Sequence, residues 1–69
     1  MVKLIQIGQW MAHNDGTFKA RKCVNVLTMD DFINGGTYLT YKFQQRSGAT
    51  IYYTQAQLTD MLEKHWHIQ

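Results

Sequence analysis

The sequence contains no proline, a single cysteine and no long apolar run. One thiol, Cys23, cannot staple the chain internally, so a disulfide-built scaffold is excluded and a reducing cytoplasm is the expected setting. The opening MVKLIQIGQW is too short in apolar residues for a signal peptide or a membrane span, so no membrane role is expected. Charge is sparse as well. Charged residues make up 17% of the chain, and seven Lys plus Arg against five Asp plus Glu give a formal net charge of +2. A protein that tracks a nucleic-acid backbone usually carries a far stronger basic excess. No repeat, linker or low-complexity segment interrupts the sequence.

What is present is the balance of a folded protein. Hydrophobic residues are 45% of the 69 positions, which suits a single domain over residues 1–69. At this length a core is only just large enough to offset the entropy of ordering the chain, which argues against a large active-site cleft. The charges are unevenly spread: FKARKCV holds three of the seven basic residues, while the acids sit mainly at Asp30-Asp31 and in the C-terminal segment.

Alternation around HNDG predicts two strands, at about residues 2–12 and 17–28, joined by a two-residue Asp15-Gly16 turn. That turn pairs Trp10 with Arg21, Ile7 with Val24 and Ile5 with Val26. Ile5, Ile7, Met11, Phe18, Ala20, Val24 and Val26 then share an inner face, and Gln6, Trp10, Ala12, Lys19, Arg21 and Asn25 face outward. Gln9 and Lys22 spoil the inner face, which predicts a bulge or a corner near Gly8. TMDDFINGG reads as a loop holding Phe32 inward.

The second hairpin, strands at about 37–45 and 49–53, admits two turns. A two-residue Ser47-Gly48 turn scatters the apolar residues. A three-residue Arg46-Ser47-Gly48 loop with Gly48 in the left-handed position pairs Phe43 with Ile51 and Tyr41 with Tyr53. Only this second register gathers Leu39, Tyr41, Phe43, Ile51 and Tyr53 on one face, leaving Tyr38, Thr40, Lys42, Gln44, Thr50 and Tyr52 on the other. Thr54 and Gln57 then match a capping box, and a helix over about 55–66 places Leu58, Met61, Leu62 and His65 on one stripe with Trp66 at its margin.

Chemistry-bearing patterns are weak. Cys23 faces outward in this register but has no activating neighbour in sequence, which favours an inert strand residue over a nucleophile. His65 and His67 could in principle bind a metal with His13, but i and i+2 on a helix point to different sides and no carboxylate or thiolate is suitably spaced, so dipole-complementing helix-end histidines are the simpler reading. Asp30, Asp31 and Asn34 lack the ligand spacing of a calcium loop, and Gly35-Gly36 lacks the lysine of a phosphate loop. The chain is expected to be no enzyme and to need no cofactor or metal.

What remains is an outward face carrying Trp10, Lys19 and Arg21 from one hairpin and Tyr38, Lys42 and Tyr52 from the other. Trp10 opposite Arg21 and Lys42 opposite Tyr52 both permit cation–π contact. Against this stands the possibility that Trp10 simply fills a second small core.

The expected fold is α+β, a small antiparallel meander ordered β-β-loop-β-β-α with the helix packed on it, or else an SH3-like curled barrel. The expected function is a small protein-binding module, a regulator or inhibitor whose size suits a phage or mobile-element accessory protein. The alternative is a single-stranded nucleic-acid binder in which Lys19, Arg21, Lys42 and Arg46 track phosphates while the rings stack on bases. A homodimer through an uncovered edge such as residues 2–12 is a third possibility.

Overall fold

The computed structural model describes residues 4–69. In chain order the elements are β1 (Trp10–His13), β2 (Arg21–Asp30), β3 (Thr37–Gln45), β4 (Thr50–Thr54), α1 (Gln55–Lys64) and β5 (Trp66–Ile68). The strands form one antiparallel sheet in the spatial order β4-β3-β2-β1-β5. Its outer strands do not meet, so the α+β meander is present but the sheet stays open and no barrel closes. Among the described residues no helix is long and apolar enough to cross a membrane.

The second hairpin has the register in which the apolar residues collect. Phe43 pairs with Ile51 and Tyr41 with Tyr53. Gly48 sits at φ +96 and donates from its N–H to Gln45 C=O, while Gln45 N–H donates to Ala49 C=O. Two residues thereby oppose one, the glycine bulge that a three-residue loop requires. Thr54 caps α1 as expected: its hydroxyl accepts from Gln57 N–H and the Gln57 side chain accepts from Thr54 N–H.

The first hairpin is built differently. Asp15 accepts hydrogen bonds from both the N–H and the hydroxyl of Thr17, and the chain wanders through residues 14–20 before β2 begins at Arg21. These side-chain bonds outcompete the tight two-residue turn. Trp10 consequently pairs with Lys22 and Met11 with Arg21, one residue away from the expected pairing. A slip of one residue exchanges the faces of a strand. Arg21 and Cys23 turn into the core and Lys22 turns out, while Ile7 and Phe18, expected inside, are exposed. Near Gly8 the anticipated bulge is present: Gly8 N–H donates to Cys23 C=O and Cys23 N–H donates to Gln9 C=O, with Gly8 at φ +98. The part of the predicted first strand at residues 2 and 3 lies outside the described residues.

The β2–β3 loop turns tightly on Asp31, whose side chain accepts from the N–H groups of Ile33 and Asn34. Phe32 and Ile33 are thrown outward and are 92% and 93% exposed, so Phe32 is not held inward. The strand pairing shows why: β2 pairs with β3 up to Asp30 opposite Thr37, which carries the loop beyond the reach of the core.

α1 ends at Lys64, two residues earlier than expected, and His65 is exposed. The chain then re-enters the sheet. In β5, His13 pairs with Trp66, Ala12 with His67 and Met11 with Ile68. Because β4 and β5 lie at opposite edges, α1 must cross the inner face, where Leu58 joins Ile5, Met11, Cys23, Tyr41, Phe43 and Trp66 in the core. Trp66 is therefore a core residue, and its ring packs edge-on against His13. Truncating a buried tryptophan typically costs 3–5 kcal/mol, roughly, out of a total near 5–15 kcal/mol. Trp66→Ala is expected to lower the urea-unfolding free energy by about that amount, and a loss below about 1 kcal/mol would contradict the placement of Trp66 in the core.

Candidate binding surface

The sheet has one covered face and one bare face. α1 and the core occupy the inner side, so the outer side is lined by the alternate residues of each strand. Lys22 stands between Trp10 and Gln44, and in the next row Lys42 stands between Asn25 and Tyr52. Leu27 and Thr40 follow, then Met29 and Tyr38.

Two of the expected contact residues meet as expected. The Lys42 ammonium lies over the Tyr52 ring, 5.9 Å from its centroid, and Tyr52 is 53% exposed. Trp10 also faces outward, but Arg21 does not meet it. The Arg46 guanidinium takes that place, 5.2 Å from the Trp10 centroid, and leaves the indole half-buried beneath it. Lys19, exposed, shares a notch with Arg46, Ser47 and Ala20 at the same corner.

Arg21 belongs to the interior and is only 5% exposed. Its guanidinium lies 4.7 Å from the Trp66 centroid, Nη1 donates to Tyr53 Oη (2.6 Å), and Nε and Nη2 both donate to Lys19 C=O. It is a structural residue. Tyr38 is exposed but stands two rows beyond Lys42, beside a shallow groove formed with Gln55, Ala56, Thr59, Asp60 and Glu63 of α1. The six expected residues thus divide: Trp10, Lys19, Lys42 and Tyr52 lie together, joined by Arg46, Tyr38 stands two rows further along, and Arg21 is inside. Lys22 is the exposed cation of this face that the sequence reading missed. Its presence on an otherwise apolar face was the available signal that the register should move by one.

The charges are sorted by face. Of the seven Lys and Arg residues, Lys3 lies outside the described residues, Arg21 is inside, and Lys64 pairs with Asp60 at 2.9 Å. Lys19, Lys22, Lys42 and Arg46 remain, and among the described residues none of them pairs with a carboxylate. The five acids lie in loops, on the helix or at the very end of a strand: Asp15 after β1, Asp30 as the last residue of β2, Asp31 just beyond it, and Asp60 and Glu63 on α1. The bare face is cationic without internal neutralisation. A surface of this kind attracts carboxylates or phosphates, and the rings beneath its cations supply apolar contact area.

The three histidines do not assemble a metal centre. His13 and His65 stack ring on ring at 6.0 Å, His13 Nδ1 approaches the Asp15 carboxylate, and His67 Nδ1 donates to Asn14 Oδ1. Among the described residues no group of three or more His, Cys, Asp or Glu side chains is placed to hold a metal ion. Cys23 is fully buried, and its thiol donates to Asn25 C=O at 3.7 Å, which corrects its expected outward position. No family model, curated protein or solved structure matches the chain.

Asp15 has the largest resolved electrostatic perturbation. The Thr17 hydroxyl first, then the Thr17 N–H, holds its carboxyl at about 2, against an ordinary value of 3.8, with His13 acting in the same direction. A depressed folded pKa contributes stability above the unfolded value and loses it as pH falls through the folded one. The contribution of Asp15 therefore fades between 3.8 and about 2. Carboxyl titration by NMR should place the Asp15 midpoint near 2 in the wild type, and Thr17→Ala should move it up toward 3.8; an unmoved midpoint would sink this account of the loop.

Proposed function

We propose that the protein is a small non-enzymatic binding module that docks an acidic patch of a protein partner on the bare face of its sheet. The observation that carries this reading is the sorting of charge: Lys19, Lys22, Lys42 and Arg46 share the face or rim with Trp10 and Tyr52, and every acid lies elsewhere. Tryptophan, tyrosine and arginine are the residue types that dominate interface energetics, especially where a charge is held over a ring. Arg46 is pre-placed over Trp10, so less side-chain entropy is lost when it meets a carboxylate. The notch between Lys19 and Arg46 suits one acidic side chain of the partner.

In use, such a module acts as a regulator or inhibitor by occupying its partner's surface, in the manner of phage or mobile-element accessory proteins, and in the cytoplasm, where a lone buried cysteine suits reducing conditions. A core this small leaves no room for a deep cleft, which makes surface occupation the economical mode of action.

Single-stranded nucleic acid is the rival occupant, since phosphates satisfy the same cations. Ring spacing favours protein. Trp10 on β1 and Tyr52 on β4 are three strands apart, about 14 Å across the sheet at the usual strand separation. Each ring also already has a cation over it, with which a stacking base would compete.

Affinity capture with the immobilised protein, followed by titration of the captured partner, tests the face. Trp10→Ala plus Tyr52→Ala is expected to weaken the complex by at least about 30-fold, the equivalent of one hot-spot residue near 2 kcal/mol. Undiminished capture by a folded double variant would remove this surface from consideration. Fluorescence anisotropy with short oligonucleotides at low salt is expected to show no binding, and tight binding that falls steeply with salt would transfer the face to the rival reading.

A further inference from the structure

Of the two free edges of the sheet, one is guarded and the other is not. β5 is three residues long, and very short edge strands are a recognised protection against pairing with another chain. β4 is five residues, TIYYT, with no charge, no proline and no interruption in its pairing with β3. β1, the edge expected from sequence to be open, is covered by β5.

The hydrogen-bonding state of β4 can be read residue by residue. Gln45 N–H donates to Ala49 C=O, which makes 45 and 49 a bonded position of the ladder. Bonded and non-bonded positions alternate in an antiparallel pair. Ile51 and Tyr53 therefore direct their backbone groups to β3, while Thr50, Tyr52 and Thr54 direct theirs to the free edge. Thr54 is already engaged, because its N–H donates to Gln57 Oε1 in the capping box and its carbonyl begins α1. Thr50 and Tyr52 are left with outward N–H and C=O groups.

We infer that β4 pairs antiparallel with β4 of a second copy of the chain, Thr50 opposite the partner copy's Tyr52 and Ile51 on the two-fold axis. In this register the two outward residues of each strand bond to the two outward residues of the other, four hydrogen bonds in all, and the engaged Thr54 is not needed. Shifting the axis to Tyr52 would set Thr50 against Thr54 and forfeit those bonds. The side chains agree with the choice. Ile51 meets Ile51 on the inner side, Thr50 meets Tyr52 on the outer side, and β-branched and aromatic cross-strand pairs are stabilising. The strand itself carries no charge to repel a second copy, and an isologous contact closes at two chains. The axis stands perpendicular to the sheet, so the two bare faces join into one, with the two Tyr52 rings diagonal to each other at its centre. The dimer does not depend on which partner occupies that face.

Light scattering and sedimentation on the full chain, from about 10 μM to about 1 mM, are expected to show a dimer of twice 8.1 kDa at the upper end. Thr50→Pro removes an outward N–H and spares the ladder to β3, as proline does on edge strands. It is expected to be monomeric throughout with an unchanged circular dichroism spectrum. Ile51→Cys supplies an independent readout. Opposed residues at a non-bonded position lie about 4.5 Å apart, within disulfide range, so mild oxidation should link two copies through residue 51. Wild-type protein, whose Cys23 is fully buried, should not cross-link. A wild type that stays monomeric at about 1 mM overturns the inference. So does a dimer that survives Thr50→Pro while Ile51→Cys fails to link.

Discussion

The buried guanidinium of Arg21 is the interaction on which the rest of the structure depends. It reaches the Trp66 ring of β5, the Tyr53 hydroxyl of β4 and the Lys19 carbonyl before β2, so one side chain ties both edges of the sheet to its middle. No carboxylate neutralises it among the described residues. Taking a cation out of water costs several kcal/mol, roughly, and here directional hydrogen bonds and the π face of a tryptophan offset that cost. Such a site is unforgiving of register. With Arg21 inward, Lys22 must face out, and the irregularity between Cys23 and Asn25 then returns Val26 to the inner side.

The polarity of the sheet explains how so small a chain can carry a surface at all. A sheet needs one face covered to be stable, and α1 supplies the cover by running from one edge to the other. The opposite face is freed from packing duties. The charged ends of Lys42 and Arg46 lie over its Tyr52 and Trp10 rings. The same contacts leave two charged ends beside exposed ring area on one face.

Much of this was legible in the sequence where local chemistry decides. The Arg46-Ser47-Gly48 loop, its register and the Thr54 capping box follow from glycine, hydroxyl and amide at fixed offsets, and the structure has all of them. Lys42 and Tyr52 could be placed for the same reason. The first hairpin was not legible, because Asp15 has two local options and the hydrogen bonds from Thr17 select the longer loop. Trp66 was misread because helical spacing continues smoothly into HWH, while the pairing that makes it a strand lies with His13 at the other end of the chain. Arg21 followed from both errors. Nothing local to an arginine announces that a distant tryptophan will receive it.

The pairing of β1 with β5 also has a temporal side. β2, β3 and β4 are successive neighbours whose contacts close short loops, whereas Met11 finds Ile68 only by closing nearly the whole chain. Loop entropy of that kind delays such contacts relative to hairpins. The three-strand meander can therefore form while Trp66 is still unplaced, and Arg21 is held by Tyr53 before it has a ring to rest on. During synthesis the edge of β1 stays open until the segment around residues 66–68 has emerged. The last strand to arrive is the one that shuts the core.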